Sequence, residues 1–125
     1  MAGTLVANTI NTDTGLFSTN NAYLGISKAW VNFNGLSGAS PVIRASFNIS
    51  SVTRNGTGNY TVAFSNAMND ANYCVTVGAF ISTTTGNTGR CGGAYSYSTN
   101  SFIMQTGYVG NADDMQFMNV SVLGN

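Results

Sequence analysis

The sequence predicts an all-β protein, a single small antiparallel β-sandwich or barrel of about seven strands with an extended N-terminal arm. Three observations carry this. Apolar and polar residues alternate in run after run, the period of a strand with one buried face. No stretch keeps apolar residues at i, i+3, i+4 and i+7, so helical periodicity is almost absent. Gly and Asn punctuate the chain every few residues, which supplies turn chemistry between the runs. The length of 125 residues suits one domain, divided into an arm over residues 1–27 and a sandwich over 28–125.

The arm, "TLVANTINTDTGLFSTNNAYLG", holds one short alternating piece and then an irregular Asn-rich segment. It is too polar to fold alone but gains backbone hydrogen bonds by strand addition to a partner. Its apolar residues Leu5, Val6, Ile10, Leu16 and Phe17 are the candidate docking contacts. The first strand of the domain is "AWVNFNG", with Ala29, Val31 and Phe33 on one face and Trp30 and Asn32 on the other. In "VIRASFNIS" the alternation puts Ile43, Ala45, Phe47 and Ile49 on the buried face and Arg44, Ser46 and Asn48 opposite. "VTRNGTGNYTVAFS" reads as a β-hairpin turning at residues 55–58, with Tyr60, Val62 and Phe64 aligned beyond it.

"YCVTVGAFIS" aligns Tyr73, Val75, Val77 and Ala79. A polar loop, "TTTGNTG", leads to two short strands in "AYSYS" and "SFIMQTG". "NADD" makes a further turn, and "MQFMNVSVLG" ends the chain with Met118, Val120 and Val122 on one side.

With four Lys and Arg against four Asp, the net charge is zero. Such a chain has no field to steer it toward nucleic acid or an acidic membrane. Hydrophobic residues at 43% and aromatics at 11% are enough for a core, which excludes disorder despite seventeen Asn and thirteen Ser. The surface is therefore built from amides and hydroxyls, and its low charge removes the usual protection against self-association. The N-terminus has no positively charged region leading into a sustained apolar run, so no signal peptide is expected. Nor does any run reach the length of a membrane span, so no membrane insertion is expected. The four Asn-X-Ser/Thr sequons, at Asn48, Asn55, Asn59 and Asn119, read as a by-product of composition.

Chemistry has little to work with. Without histidine or glutamate, nucleophilic triads and a Cys/His zinc site have no ordinary members. Adjacent Asp113 and Asp114 sit in a turn, where capping of backbone N–H groups is the favoured use over a carboxylate pair or a calcium loop. "NGTGNYT" is explained by its hairpin turn rather than by phosphate binding. No enzyme, cofactor or metal is expected. The register of a hairpin turning near residues 85–86 does not set Cys74 opposite Cys91. That leaves two free, mostly buried thiols, or a disulfide within or between chains. Tyr95 and Tyr97 lie two apart among small polar residues, and Tyr108 sits in "TGYVGN". These three form a candidate receptor or ligand surface, with subunit packing as the alternative.

At "KAWVNFNG", followed by "IRASFNISSVTRNGTGNYTVAFSNAMNDANYCV", the sequence closely resembles a module of tailed-bacteriophage virion proteins, over roughly residues 22–80. "VANTINTDTGLFS" also looks like the opening segment of tail-fibre tips. The resemblance implies a non-enzymatic, β-rich surface appendage that assembles as a homotrimer and resides in the virion after assembly in the bacterial cytoplasm. Its partners would be itself, other capsid or tail proteins, and host cell-surface polysaccharide or protein, met through loops 83–93 and 105–114. With 27 residues ahead of the module and no shaft among them, a capsid decoration protein that strengthens the head is the alternative. Trp30, Asn32 and Arg44, on the polar faces of their strands, are the expected oligomer contacts.

Overall fold

The computed structural model describes residues 3, 6, 9–12, 15–18, 23–36, 38, 40–80 and 90–124, with backbone alone for 9–12, 15–18 and 90. Its strands are β1 (Thr9–Thr12), β2 (Gly15–Ser18), β3 (Ser27–Asn34), β4 (Val42–Phe47), β5 (Ile49–Gly56), β6 (Asn59–Phe64), β7 (Cys74–Phe80), β8 (Arg90–Tyr95), β9 (Ser101–Tyr108), β10 (Asn111–Ala112) and β11 (Phe117–Leu123). One sheet runs β4-β3-β11-β7 and the other β8-β9-β6-β5, with the short β10 folded back on the end of β9. All pairings are antiparallel.

The sandwich core follows the alternation. Ala29, Val31 and Phe33 of β3, Tyr60, Val62 and Phe64 of β6, and Met118, Val120 and Val122 of β11 are buried together with Phe102 and Met104 of β9. Phe33 meets Tyr60 edge-on, with ring centroids 5.4 Å apart and planes at 67°, the arrangement that sets a positive ring edge against a negative face. Nine strands make the sandwich where about seven are expected, the short β10 among them, and the expected strand "VIRASFNIS" is broken before its end, so that Ile49 opens β5. Asn48 divides β4 from β5 at φ 54°, a left-handed conformation that Asn tolerates better than most residues. There the chain leaves one sheet and enters the other.

The Asn48 side chain fastens this corner. Its Nδ2 donates to the carbonyls of Lys28 (3.1 Å) and Asn66 (3.2 Å), and its Oδ1 accepts from the Asn66 backbone N–H (2.8 Å). Asn48→Ala removes all three bonds and puts at positive φ a residue that tolerates that region less well than Asn, for an expected loss of about 2 kcal/mol. Asn48→Asp, which keeps the acceptor alone, should lie between wild type and alanine in urea unfolding.

A second irregularity corrects the reading of β4. Asn32 lies opposite Ala45 but Phe33 lies opposite Ile43, so Arg44 is the extra residue of a β-bulge. A bulge shifts the pleat by one position and sends the following side chains to the other face. Ile43 therefore packs on the core, whereas Ala45 and Phe47 stand on the outer face, Phe47 54% exposed; Ile49 packs inward from β5 of the other sheet, beyond the Asn48 corner.

In the N-terminal segment, β1 and β2 pair with each other as a separate two-stranded sheet, with Ile10 opposite Phe17 and Asn11 opposite Leu16. This part is a hairpin, not a single extended strand. Pairing within the chain already uses backbone groups that a lone strand would offer to a partner.

Candidate functional site

The outer face of β4-β3-β11-β7 carries the exposed Trp30, Phe47 and Phe80 and the half-buried Phe117. Trp30 of β3 is 40% exposed, with Phe47 of β4 opposite on one side and Ser121 of β11 on the other. Phe117 of β11 lies opposite Phe80 of β7, which is 44% exposed. Directly opposed residues share a face, so aromatics stand at both ends of this surface. Between them lies a shallow trough of about 460 Å³ lined by Trp30, Asn32, Thr76, Gly78, Asn119 and Ser121. Its floor is neutral. Asn32 Nδ2 donates to Asn119 Oδ1 at 2.5 Å, linking β3 and β11 across the middle of the sheet.

Arg44 also lies on this side, yet its guanidinium is directed into its own chain. It donates to Asn32 Oδ1 (3.2 Å), to the Phe33 carbonyl (3.0 Å) and to the Gln116 carbonyl (2.9 Å). It also stands 5.0 Å from the centroid of the Phe117 ring, within cation–π range. The bulge residue thus clamps β4 to β3 and to the approach of β11. Trp30 and Asn32 face outward together, as the alternation of β3 requires.

The three tyrosines do not make one surface. Ser96, between Tyr95 and Tyr97, has φ 51°, and this reversal ends the two-residue period. Tyr97 turns over the core edge, with its ring centroid 5.1 Å from Tyr73 and 6.5 Å from the buried Phe102. Tyr95 stays on the outer face of β8-β9-β6-β5, where its hydroxyl accepts from Asn59 Nδ2 at 2.6 Å. Tyr108 is in phase with the buried Phe102, Met104 and Thr106 of β9 and emerges beyond them, 41% exposed. Residues 83–89 of the expected distal loop 83–93 and the docking residue Leu5 lie outside the described residues, and residues 90–93 begin β8. Residues 105–114 form the end of β9, a turn at Val109 and Gly110, and β10. Val6 is 89% exposed; Ile10, Leu16 and Phe17 are placed only by their backbone in β1 and β2.

Arg54 and Asp114, with Tyr60, form a structural lock. Asp114 Oδ1 accepts from Tyr60 Oη (2.5 Å), the Gly58 backbone N–H (2.8 Å) and Arg54 Nε (3.1 Å). Asp114 Oδ2 accepts from Arg54 at 2.7 Å. Burial alone would raise the Asp114 pKa, but the hydrogen bonds from Arg54, Tyr60 and Gly58 outweigh it and hold the carboxyl below its ordinary range. Burial first, and then the Asp114 carboxylate, push the Tyr60 phenol well above its ordinary value. Hydrogen bonding to Asp114 likewise raises Arg54.

Gly58 fits here for two reasons. Its φ is +63°, and a β-carbon would come 2.7 Å from the Asp113 nitrogen, so no other residue closes this turn without strain. Capping of the Gly58 N–H is thus one use the chain makes of Asp114; its other bonds go to the side chains of Arg54 and Tyr60. Cys74 and Cys91 are free thiols and both exposed, not buried. They occupy outward positions on β7 and β8, in different sheets.

Among the described residues, no group of three or more His, Cys, Asp or Glu comes together. No helix is long and apolar enough to cross a membrane.

Sequence reasoning missed Phe47, Phe80 and Phe117 as companions of Trp30. A single strand carries no signal for a bulge in its pairing. No family model, curated protein or solved structure matches the chain.

Proposed function

We propose that this protein is a non-enzymatic structural protein of a tailed-bacteriophage virion, a homotrimeric surface appendage. Its subunits meet through the outer face of β4-β3-β11-β7. The observation that carries the reading is the grouping of Trp30, Phe47, Phe80 and Phe117 on one almost uncharged sheet face. Exposed aromatics on a continuous face are the composition of an interface centre and a liability on a free monomer. The resemblance of residues 22–80 to phage virion modules supplies the setting, and a charge-poor skin suits a protein packed into an assembly.

In this reading the N-terminal segment, including the β1–β2 hairpin, docks on other virion proteins. The opposite side of the sandwich is left for solvent or the host surface.

Sedimentation velocity of the purified full chain at roughly 10 µM should give a trimer, as a micromolar or tighter interface requires. A monomer at that concentration overturns the assembly. Deleting residues 1–27 should leave a folded trimer that is absent from purified particles; particles that still carry it would refute the docking role. Mutant particles lacking the protein decide its place. Loss of adsorption is the expected result, whereas fragile particles that adsorb normally would assign it to shell reinforcement.

A further inference from the structure

On the other outer face, β8, β9 and β10 enclose a trough of about 430 Å³ whose lining includes Gly93, Tyr95, Gln105, Gly107 and Asn111. Its floor is bare backbone. Gly93 lies opposite Gln105, and Gly107 opposite Cys91. The glycines around it are not equivalent. At Gly92 a β-carbon would come 2.5 Å from Val77 Cγ1, and at Gly107 it would strike the Asn111 carbonyl, so packing demands both. At Gly93 a β-carbon would meet nothing within 4 Å among the described residues. A strand interior without a side chain and without a packing reason for it marks a place where an outside group approaches the backbone.

Tyr95 walls one end, its ring exposed and its hydroxyl held by Asn59. Because that hydroxyl accepts from Asn59, its own proton remains to be donated. Gln105, opposite Gly93, adds an amide donor and acceptor, whereas the Asn111 Nδ2 is already directed at the Val109 carbonyl, and none of the described residues lining the trough is charged.

We propose that this trough is a binding site for a neutral glycan. One pyranose ring lies on the Gly93 backbone against the Tyr95 face, and its hydroxyls bond to Gln105 and the Tyr95 hydroxyl. The chemistry decides the class. A fixed aromatic wall suits the C–H face of a sugar, amides pair with hydroxyls that both donate and accept, and the lack of charge disfavours an anionic or cationic ligand. The site does not rest on the virion reading, since it needs neither trimer nor particle.

The test is NMR titration of the isotope-labelled full chain with methyl α-D-glucopyranoside, methyl α-D-mannopyranoside and methyl β-D-galactopyranoside. Titration to roughly 50 mM lies well above the dissociation constant on the order of 1 mM expected for one ring on one platform. The Gly93, Gln105, Gly107 and Asn111 amides should shift for at least one sugar, and sialic acid should move them less. Tyr95→Ala should weaken binding at least roughly tenfold. Gly93→Val, which fills the trough with a residue suited to strands, should do the same while keeping the wild-type melting temperature.

No shift with any of the three glycosides overturns the proposal, as does binding unaffected by Gly93→Val. If Gly93→Val instead changes the sedimentation coefficient and sugars do not bind, the trough is a contact between copies and the proposal falls. Either failure leaves the particle-incorporation test untouched.

Discussion

Asp114→Ala is expected to be among the most destabilising single substitutions in the chain, by about 3 kcal/mol, lowering the melting temperature by about 10 °C. The magnitude comes from what is left behind. The fully buried Tyr60 side chain loses the acceptor of its hydroxyl, leaving only the Gly35 carbonyl at 3.2 Å, and the Gly58 N–H loses its partner. Arg54 then faces an empty site. Tyr60→Phe deletes one bond from the same cluster and should cost about 2 kcal/mol.

The lock also fixes the pH dependence. The Asp114 pKa is lower in the folded than in the unfolded chain, so its contribution is fully present above the ordinary carboxylate range, near pH 4. It is lost as pH falls through the depressed value. The Tyr60 pKa is higher in the folded chain, so its contribution is present below about pH 10 and is lost as pH climbs toward the raised value. Chemical denaturation across pH should therefore show an acid limb that Asp114→Asn flattens. It should also show an alkaline limb that Tyr60→Phe reduces, with a remainder from Tyr73, raised by its burial. Limbs unchanged in both variants would place the titrating groups elsewhere.

Trp30→Ala is expected to have the largest effect on assembly, raising the trimer dissociation constant at least roughly 30-fold, as a central aromatic anchor does. Trp30 is 40% exposed on the outer face, so removing it leaves no cavity in the sandwich, and monomer stability should change by less than about 1 kcal/mol. Phe47→Ser should weaken the trimer in the same way and Thr53→Ala, on the other sheet, should not. Fluorescence-detected sedimentation over a dilution series reads the constant, and urea unfolding reads the monomer. A variant that unfolds easily yet still trimerises would reverse the assignment.

Most of the core was legible in advance. In β3, β6, β7 and β11 the alternation named the inward side chains correctly, because the pleat is regular through the core-facing positions; the one shift in the β3–β11 register falls at Lys28, before Ala29. The hairpin at residues 55–58 was legible because its Gly-rich turn has few alternatives. The readings that failed share one cause. At Arg44, at Asn48 and at Ser96 the chain inserts a bulge residue or a left-handed one. Each resets the two-residue period, so Phe47 moved outward, the expected strand "VIRASFNIS" ended at Asn48 with Ile49 in the other sheet, and Tyr97 parted from Tyr95.

The lock of Arg54, Tyr60 and Asp114 joins residues 54 to 60 positions apart, a pairing no local pattern encodes. The exposed cysteines follow from strand parity in two different sheets.

By itself, then, the sequence determined the all-β class, the neutral surface and the inward residues of the regular strands, since these depend on local periodicity and composition. Tertiary structure alone decided which outward aromatics share a face with Trp30, where the carboxylate of Asp114 is satisfied, and that Gly93 lies open. Those depend on register between distant strands, and register is fixed only when both sheets close over a common core.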